Sequence, residues 1–100
     1  MVQKIELSAR AVVTLEESVQ YLKQNFSETE VWKYTERIDK KILLIKNNPR
    51  LGRKVSKRPN TYKTVINKRI VLYYQYRPLK KEILLLSFWN TLQNPKKLKL

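Results

Sequence analysis

The side chains with the clearest chemical potential are cations and tyrosines that alternate in the second half of the sequence. Cationic groups pair with phosphates, and aromatic rings stack on unpaired bases, so this combination suits RNA or a machine that carries nucleic acid. Tyrosines in strands more often pack against a core, so the cations carry more of this interpretation. The residues concerned are Arg53, Lys54, Lys57, Arg58, Lys63, Lys68 and Arg69, with Tyr62, Tyr73 and Tyr76 close to them.

The charge of the chain is distributed unevenly. Residues 1–45 hold seven basic and seven acidic side chains, whereas residues 46–100 hold fifteen basic side chains and one acidic side chain, Glu82. The first part is therefore neutral, and the second part carries the whole net charge of +14. A field of this sign attracts polyanions, and phosphate backbones are their commonest source. An acidic protein partner, or solubility alone, would also account for the charge.

The residue types that are missing exclude most catalytic sites. The sequence contains no histidine and no cysteine, which excludes Ser-His-Asp triads, Cys-His pairs, the common zinc sites and disulfides. A single glycine excludes a glycine-rich phosphate loop, and neither a cofactor nor a metal is expected. Acid–base chemistry would have to use Lys, Arg or Tyr, so RNA cleavage is the one enzymatic candidate.

The sequence suggests a cytoplasmic protein of one domain. The first seven residues lack the apolar core of a signal peptide, and no apolar run approaches the roughly 20 residues that span a bilayer. The absence of cysteine fits a reducing compartment. Because there is no repeat and no Gly/Ser linker, residues 1–100 are expected to form a single domain without membrane contact.

The N-terminal half predicts a strand followed by a helix hairpin. Val2–Leu7 is β-prone, and Ser8 is a plausible N-cap for a first helix. Ser27 and Glu30 form the capping-box pattern of a second helix, which ends at Asn47–Gly52. The apolar stripes at helical spacing are Val12, Leu15, Val19, Leu22 and Phe26 in the first helix, and Tyr34, Ile38, Ile42 and Ile45 in the second.

The C-terminal half predicts a three-stranded antiparallel meander. Tyr62–Ile66, Ile70–Tyr76 and Glu82–Trp89 are rich in β-branched and aromatic residues, and short turns join them. Alternation within the middle strand predicts that Ile70, Leu72, Tyr74 and Tyr76 face the helices. Ile83–Leu86 is apolar on both faces, which indicates a central strand or a second face with its own cover. Trp32 and Trp89 are interpreted as anchors of the helix and the strand.

The order of these elements is distinctive, and five short sequence segments are distinctive as well. They are Ser8-Ala9, Leu15–Tyr21 with Glu16 and Glu17, Asn48–Gly52, Ile70–Tyr76, and Phe88–Leu98. With them, nearly the whole chain resembles toxins of the RelE/ParE superfamily of type II toxin-antitoxin systems. The resemblance implies an α+β fold, with an N-terminal strand and a two-helix hairpin packed on an antiparallel sheet that ends in a three-stranded meander. It also implies a cognate antitoxin, which the charge predicts to be acidic.

The resemblance leaves two activities to choose between. Toxins similar to RelE cleave mRNA in the ribosomal A site with Arg, Lys and Tyr side chains, whereas toxins similar to ParE poison DNA gyrase and have no nuclease site. In the RelE pattern an arginine lies inside the strand where this chain has Val71 or Leu72. A second arginine and a tyrosine follow the final strand, where this chain has Asn90-Thr91 and Lys97. These departures favour a ParE-like toxin that acts by binding, with a ribosome-dependent mRNA endonuclease as the alternative.

The candidate site residues follow from the charge and the resemblance. No residue is assigned a catalytic role under the gyrase hypothesis, whereas Lys63 and Arg69 are the catalytic candidates under the RNase alternative. The target is DNA gyrase or the ribosome with its mRNA. The predicted target-binding residues are Arg50, Arg53, Lys54, Arg58, Lys63, Arg69, Arg77, Lys96 and Lys97.

Overall fold

A computed structural model describes residues 2–93 and 95–100. Two helices pack on one face of a five-stranded sheet with the strand order β1-β5-β4-β3-β2. The elements are β1 (Lys4–Leu7), α1 (Ala9–Asn25), α2 (Glu28–Asn47), β2 (Arg53–Lys54), β3 (Thr61–Val65), β4 (Ile70–Arg77) and β5 (Glu82–Asn90), with 3-10 turns at Pro78–Lys80 and Pro95–Lys97. This arrangement confirms the predicted α+β fold. Neither helix has an apolar stretch that could cross a membrane, as judged over the described residues.

The sheet is mixed, which differs from the wholly antiparallel sheet of the prediction. The meander β3-β4-β5 is antiparallel as expected, but β1 pairs with β5 in parallel, with Ile5 opposite Ile83. The helix hairpin is a long enough crossover to return the chain for parallel pairing. The two-residue strand β2, at the far edge, was not predicted. The predicted start of β1 at Val2 is two residues early, although Val2 itself is buried.

Helix α1 begins where the sequence predicts, because the Ser8 side chain accepts a hydrogen bond from the backbone N–H of Ala11. Its buried face agrees with the middle of the predicted stripe, because Leu22 is buried and Leu15 and Val19 pack against the core. Ala11, Ser18 and Leu22 are buried, whereas Val12 is 45% exposed. Ala11 and Ser18 are not part of the predicted stripe because their side chains are small, and a pattern of large apolar residues does not include them. Phe26, the last member of the predicted stripe, is an exposed C-cap.

Helix α2 agrees with its predicted stripe. Tyr34, Ile38 and Ile45 are buried, and Ile42 packs against the same core. Ser27 caps the helix by accepting a hydrogen bond from the backbone N–H of Glu30. The inner faces of the two helices meet through Tyr34, whose hydroxyl lies 2.6 Å from the Ser18 hydroxyl. Trp32 is 60% exposed, so its interpretation as a helix anchor is wrong: it lies on the outer side of α2.

Both faces of the sheet are covered, but by different parts of the chain. On the helix side, Ile70, Leu72 and Tyr74 of β4 are fully buried, as the alternation predicts. Leu85 of β5 lies in this core, and β5 lies between β1 and β4, so the central-strand prediction is confirmed. On the other face, here called the outer face, a second apolar cluster consists of Tyr73, Leu86 and Trp89 with Val55, Val71, Leu84, Leu98 and Leu100 against it. The C-terminal tail therefore covers the second face of β5, and Trp89 is an anchor as predicted.

Candidate functional site

Two of the predicted cations, Arg53 and Lys63, and one of the predicted tyrosines, Tyr73, meet in a groove on the outer face of the sheet. This outer-face groove has a volume of about 560 Å³. Cross-strand pairing builds it, because Arg53 of β2 lies opposite Lys63 of β3, and Lys63 lies opposite Tyr73 of β4. Residues opposite each other on neighbouring strands point to the same face of a sheet. The residues that line it are Arg53, Lys63, Thr64, Val65, Val71, Tyr73, Trp89, Thr91 and Leu98.

The position of Arg53 depends on the residue before it. The backbone N–H of Gly52 donates to the Tyr74 hydroxyl at 3.0 Å, and that hydroxyl donates to the carbonyl of Pro49 at 2.8 Å. A Cβ at residue 52 would lie 2.7 Å from the backbone oxygen of Lys63. Glycine is therefore needed for the chain to approach β3 this closely, and that approach places Arg53 beside Lys63.

The groove suits binding of an anion next to a planar or apolar group. Arginine and lysine normally carry a positive charge at neutral pH, and Arg53 is exposed at the rim. Burial raises the pKa of the Tyr73 phenol. The phenol therefore stays protonated at neutral pH, so it can donate a hydrogen bond but is a poor proton acceptor. The two cations supply charge, and Tyr73 and Trp89 supply an aromatic floor.

Arg69 lies away from this groove, on the helix side of the sheet. It belongs to the β3-β4 turn, where the Asn67 side chain accepts hydrogen bonds from the backbone N–H groups of Arg69 and Ile70. The Arg69 guanidinium donates to the Tyr21 hydroxyl at 3.0 Å and lies 4.8 Å from the centre of the Phe26 ring. Lys63 and Arg69, the pair considered for RNA cleavage, therefore do not face a common site.

The remaining predicted residues are dispersed. Arg50 lies over the Tyr76 ring, 5.1 Å from its centre, on the helix side. Arg77 forms an ion pair with Glu82 at 3.0 Å and donates to the Gln75 side chain at 3.1 Å, so it has a structural role in the β4-β5 hairpin. Lys54, Lys96 and Lys97 are exposed, and Arg58 is half-buried.

A larger groove, which the sequence does not predict, lies between α1 and the end of β5. This helix-side groove has a volume of about 940 Å³, and its lining includes Arg10, Val13, Lys97 and Lys99. The floor of this groove is the part of β5 from Ser87 to Asn90, which extends past the last residue of β1 that pairs with β5. There Thr14 of α1 accepts a hydrogen bond from the backbone N–H of Phe88 at 2.9 Å. Of the predicted target-binding residues, Lys97 alone lines it.

Metal binding finds no support in the arrangement of side chains. Across residues 2–93 and 95–100, no three acidic, histidine or cysteine side chains form a group that could hold a metal ion. The chemistry of the outer-face groove is thus that of cations, a phenol and an indole.

Comparison with known families gives the decisive observation. Residues 5–95 match the family model described as the ParE toxin of the type II toxin-antitoxin system parDE. The chain belongs to the ParE toxin family. It is therefore a toxin of a type II toxin-antitoxin system, within the RelE/ParE superfamily that the sequence resembles. A comparison with curated proteins finds no match.

Solved structures with the same fold include members of both branches of the superfamily. The chromosomal ParDE system of P. aeruginosa aligns with a TM-score of 0.71 at 13% identity, covering 89% of this chain and 96% of that chain. The RelBE complex of E. coli aligns with a TM-score of 0.60 at 19% identity, covering 86% and 93%. The YoeB-YefM complex of Staphylococcus aureus aligns with a TM-score of 0.56 at 21% identity, covering 89% and 95%. At these identities the similarity establishes the fold of the ParE-family chain.

Proposed function

We propose that this ParE-family toxin inhibits bacterial growth by binding DNA gyrase and does not cut RNA. The observation that carries the proposal is the composition of the outer-face groove. It has cations and a phenol whose pKa is raised by burial, but Val71 lines it at the strand position where the RelE pattern has an arginine. The other residue considered for that position, Leu72, is fully buried on the opposite face.

The separation of Lys63 from Arg69 supports the same proposal. Cleavage of RNA needs a group that accepts the proton of the 2′-hydroxyl and a cation that stabilises the developing charge, both within reach of one phosphate. Arg69 is directed at Tyr21 and Phe26, so it cannot complete such a set around Lys63. Binding is the activity that the remaining groups support.

An mRNA endonuclease remains the second candidate, favoured by one feature of the groove. Arg53 and Lys63 stand beside Tyr73 and Trp89, and this combination fits a nucleotide, with its phosphate on the cations and its base on a ring. In that case Lys63 is the catalytic candidate that lies in the groove.

A cognate antitoxin with an acidic, amphipathic C-terminal segment is proposed as the partner. The net charge of +14 and the exposed apolar side chains, among them Trp32 and Leu43, suit such a segment. The structurally similar RelBE complex of E. coli and YoeB-YefM complex of S. aureus each contain a toxin and its antitoxin. Binding of this partner should weaken as salt is added, because the attraction is partly electrostatic.

The test compares a gyrase supercoiling reaction with an mRNA cleavage reaction on translating ribosomes. The proteins are the parent, Arg53→Ala, Lys63→Ala and a control, Lys23→Ala, which removes an exposed cation from α1. We expect the parent to inhibit gyrase and to leave mRNA intact. Each groove variant should weaken gyrase inhibition by about 1 kcal/mol, in a salt-dependent manner, because one surface contact contributes only its own share. The control should match the parent.

A catalytic role would give a different pattern. Removal of a group that stabilises a transition state costs about 10² to 10³ in rate. Codon-specific cuts by the parent that disappear in Lys63→Ala but persist in Lys23→Ala would therefore replace the gyrase proposal with the endonuclease.

A further inference from the structure

The two edges of the sheet differ in length and charge. Edge strand β2 has two residues, Arg53 and Lys54, both basic, so a second copy that approached it would meet like charges. Short length and positive charge are common ways of protecting a sheet edge from pairing. Edge strand β1 has four residues, Lys4–Leu7, and carries one charge of each sign. The β1 edge is therefore longer than the β2 edge and has no net charge, so a second copy would not meet only like charges there.

The backbone of β1 has hydrogen-bonding groups that face away from the sheet. The backbone N–H of Ser8, the residue after β1, donates to the carbonyl of Leu85 in β5 at 2.9 Å. Alternate residues of a strand direct their backbone groups to the same side. Counting back from Ser8 along the continuous register, Glu6 bonds towards β5, whereas Ile5 and Leu7 direct their N–H and C=O groups outward. The alternation holds within the strand only, because the N–H of Gln3, just before β1, also donates towards this side, to the carbonyl of Lys81 at 2.7 Å. An added strand would find donors and acceptors there.

The side chains of β1 determine which kind of strand can pair with it. Lys4 and Glu6 lie on one face of the sheet, 60% and 46% exposed, with the Lys4 Nζ 2.6 Å from the Glu6 Oε1. In an antiparallel pairing of two β1 strands centred on Ile5, Lys4 of each copy lies opposite Glu6 of the other. Opposite charges at such positions attract, and each cross-strand pair contributes a small stabilisation. The sequence Lys-Ile-Glu is complementary to itself in this register.

We propose that β1 is a self-recognition edge, through which two copies of the chain pair antiparallel to form a continuous ten-stranded sheet. In this register Ile5 of each copy exchanges two backbone hydrogen bonds with Ile5 of the other, and the Lys4 and Glu6 side chains form two intermolecular ion pairs. The symmetry is twofold, as in most small oligomers.

The distribution of charge permits this contact in spite of the high net charge. The charges around β1 are mixed in sign, because Lys4 is paired with Glu6 and the nearby Arg77 is paired with Glu82, which leaves Lys80 as one further cation near Glu6. The outer-face groove is lined by residues of β2, β3 and β4 and by Trp89 of β5, which lies beyond the part of β5 that pairs with β1, so pairing leaves it open. Four residues from each copy make a small interface, so the dimer is weak and forms at high protein concentration.

Sedimentation equilibrium over a range of concentrations tests the proposal through charge reversal. Lys4→Glu places two glutamates opposite two glutamates in the dimer, and Glu6→Lys places lysines opposite lysines. Each variant should weaken dimerisation on the order of tenfold. An equimolar mixture of the two should dimerise like the parent, because every glutamate then faces a lysine. The reciprocal variant Lys4→Glu/Glu6→Lys should also dimerise like the parent. Circular dichroism checks that each variant is folded.

Matched controls separate this edge from general electrostatics. Lys23→Glu and Glu28→Lys make the same charge changes at exposed positions on the helices and should leave dimerisation unchanged. A parent that stays monomeric at roughly millimolar concentration would overturn the proposal. A dimer that is insensitive to both single variants, or a mixture that fails to recover, would equally overturn it. Neither result would affect the gyrase proposal, which is tested by a separate reaction.

Discussion

Gly52→Ala is expected to destabilise the protein strongly, although it adds only one methyl group. The new Cβ would lie 2.7 Å from the backbone oxygen of Lys63 and 2.9 Å from the Tyr74 hydroxyl, where ordinary contacts begin at 3.4 Å. The chain must therefore move by about 0.7 Å at a point where the oxygen belongs to the backbone of β3 and cannot rotate away.

The expected size of the effect follows from two contributions. Overpacking of this kind costs about 1 to 3 kcal/mol, and loss of the hydrogen bond from Gly52 to Tyr74 adds about 1 kcal/mol. A total of about 2 to 4 kcal/mol lowers the Tm of a 100-residue protein by about 8 to 32 °C. Tyr74→Phe removes the hydroxyl that holds both Gly52 and Pro49, and should cost roughly 2 kcal/mol for two hydrogen bonds.

A double-mutant cycle measured by urea denaturation checks the reasoning. Because the same hydrogen bond is lost in both single variants, Gly52→Ala/Tyr74→Phe should cost less than the sum of the two, by about 1 kcal/mol. Ser56→Ala, in the exposed loop that follows β2, is the control and should change stability by less than about 0.5 kcal/mol. If Gly52→Ala melted within two degrees of the parent, roughly the spread among neutral variants, the close approach to β3 would be refuted.

Three further predictions concern stability. Leu85→Ala should cost roughly 2 to 5 kcal/mol because Leu85 is fully buried in the central strand, and a variant melting within about a degree or two of the parent would contradict this position. Burial raises the pKa of Tyr34 to about 12, above its ordinary value near 10. The contribution of the buried phenol to the free energy of unfolding is therefore complete below about pH 10 and is lost as the pH rises towards 12. In urea melts at several alkaline pH values, the free energy of unfolding of Tyr34→Phe should decline less steeply with pH than that of the parent. Thr14→Val should cost about 1 to 3 kcal/mol because it leaves the N–H of Phe88 without its acceptor, whereas Thr35→Val, exposed on α2, should melt like the parent.

Most of the secondary structure could be predicted from the sequence because its signals are local. Ser8 and Ser27 mark the starts of both helices, and both cap as expected. The strands of the meander carry enough β-branched and aromatic residues to be recognised, within one residue at each end. The buried face of α1 could be predicted only in part, because two of its members, Ala11 and Ser18, are small or polar and carry no weight in an apolar pattern. Strand β2 was missed because two residues cannot show a periodicity.

The site was harder to predict because its residues come together only through long-range pairing. Arg53 and Lys63 are ten positions apart, and the register of β2 on β3 alone makes them neighbours. Arg69 is closer in sequence to Lys63, yet the Asn67 turn directs it to the helices. Leu98 reaches the groove by the C-terminal tail, whose sequence does not indicate which face of the sheet it covers. The sequence identifies the cations, but only the tertiary structure shows which of them share a site.

The pairing of β1 with β5 has a consequence for how the chain folds. Ser8 donates from its backbone N–H to the carbonyl of Leu85 and from its hydroxyl to the carbonyl of Leu86, so the start of α1 is fixed by residues 77 and 78 positions later. Helices and hairpins form from near neighbours and form quickly, whereas contacts this distant must first overcome the entropy of closing a long loop. During synthesis the first strand has no partner until the last strand emerges. Trp89, on the floor of the outer-face groove, belongs to that last strand, so the groove is complete only once β5 has joined the sheet.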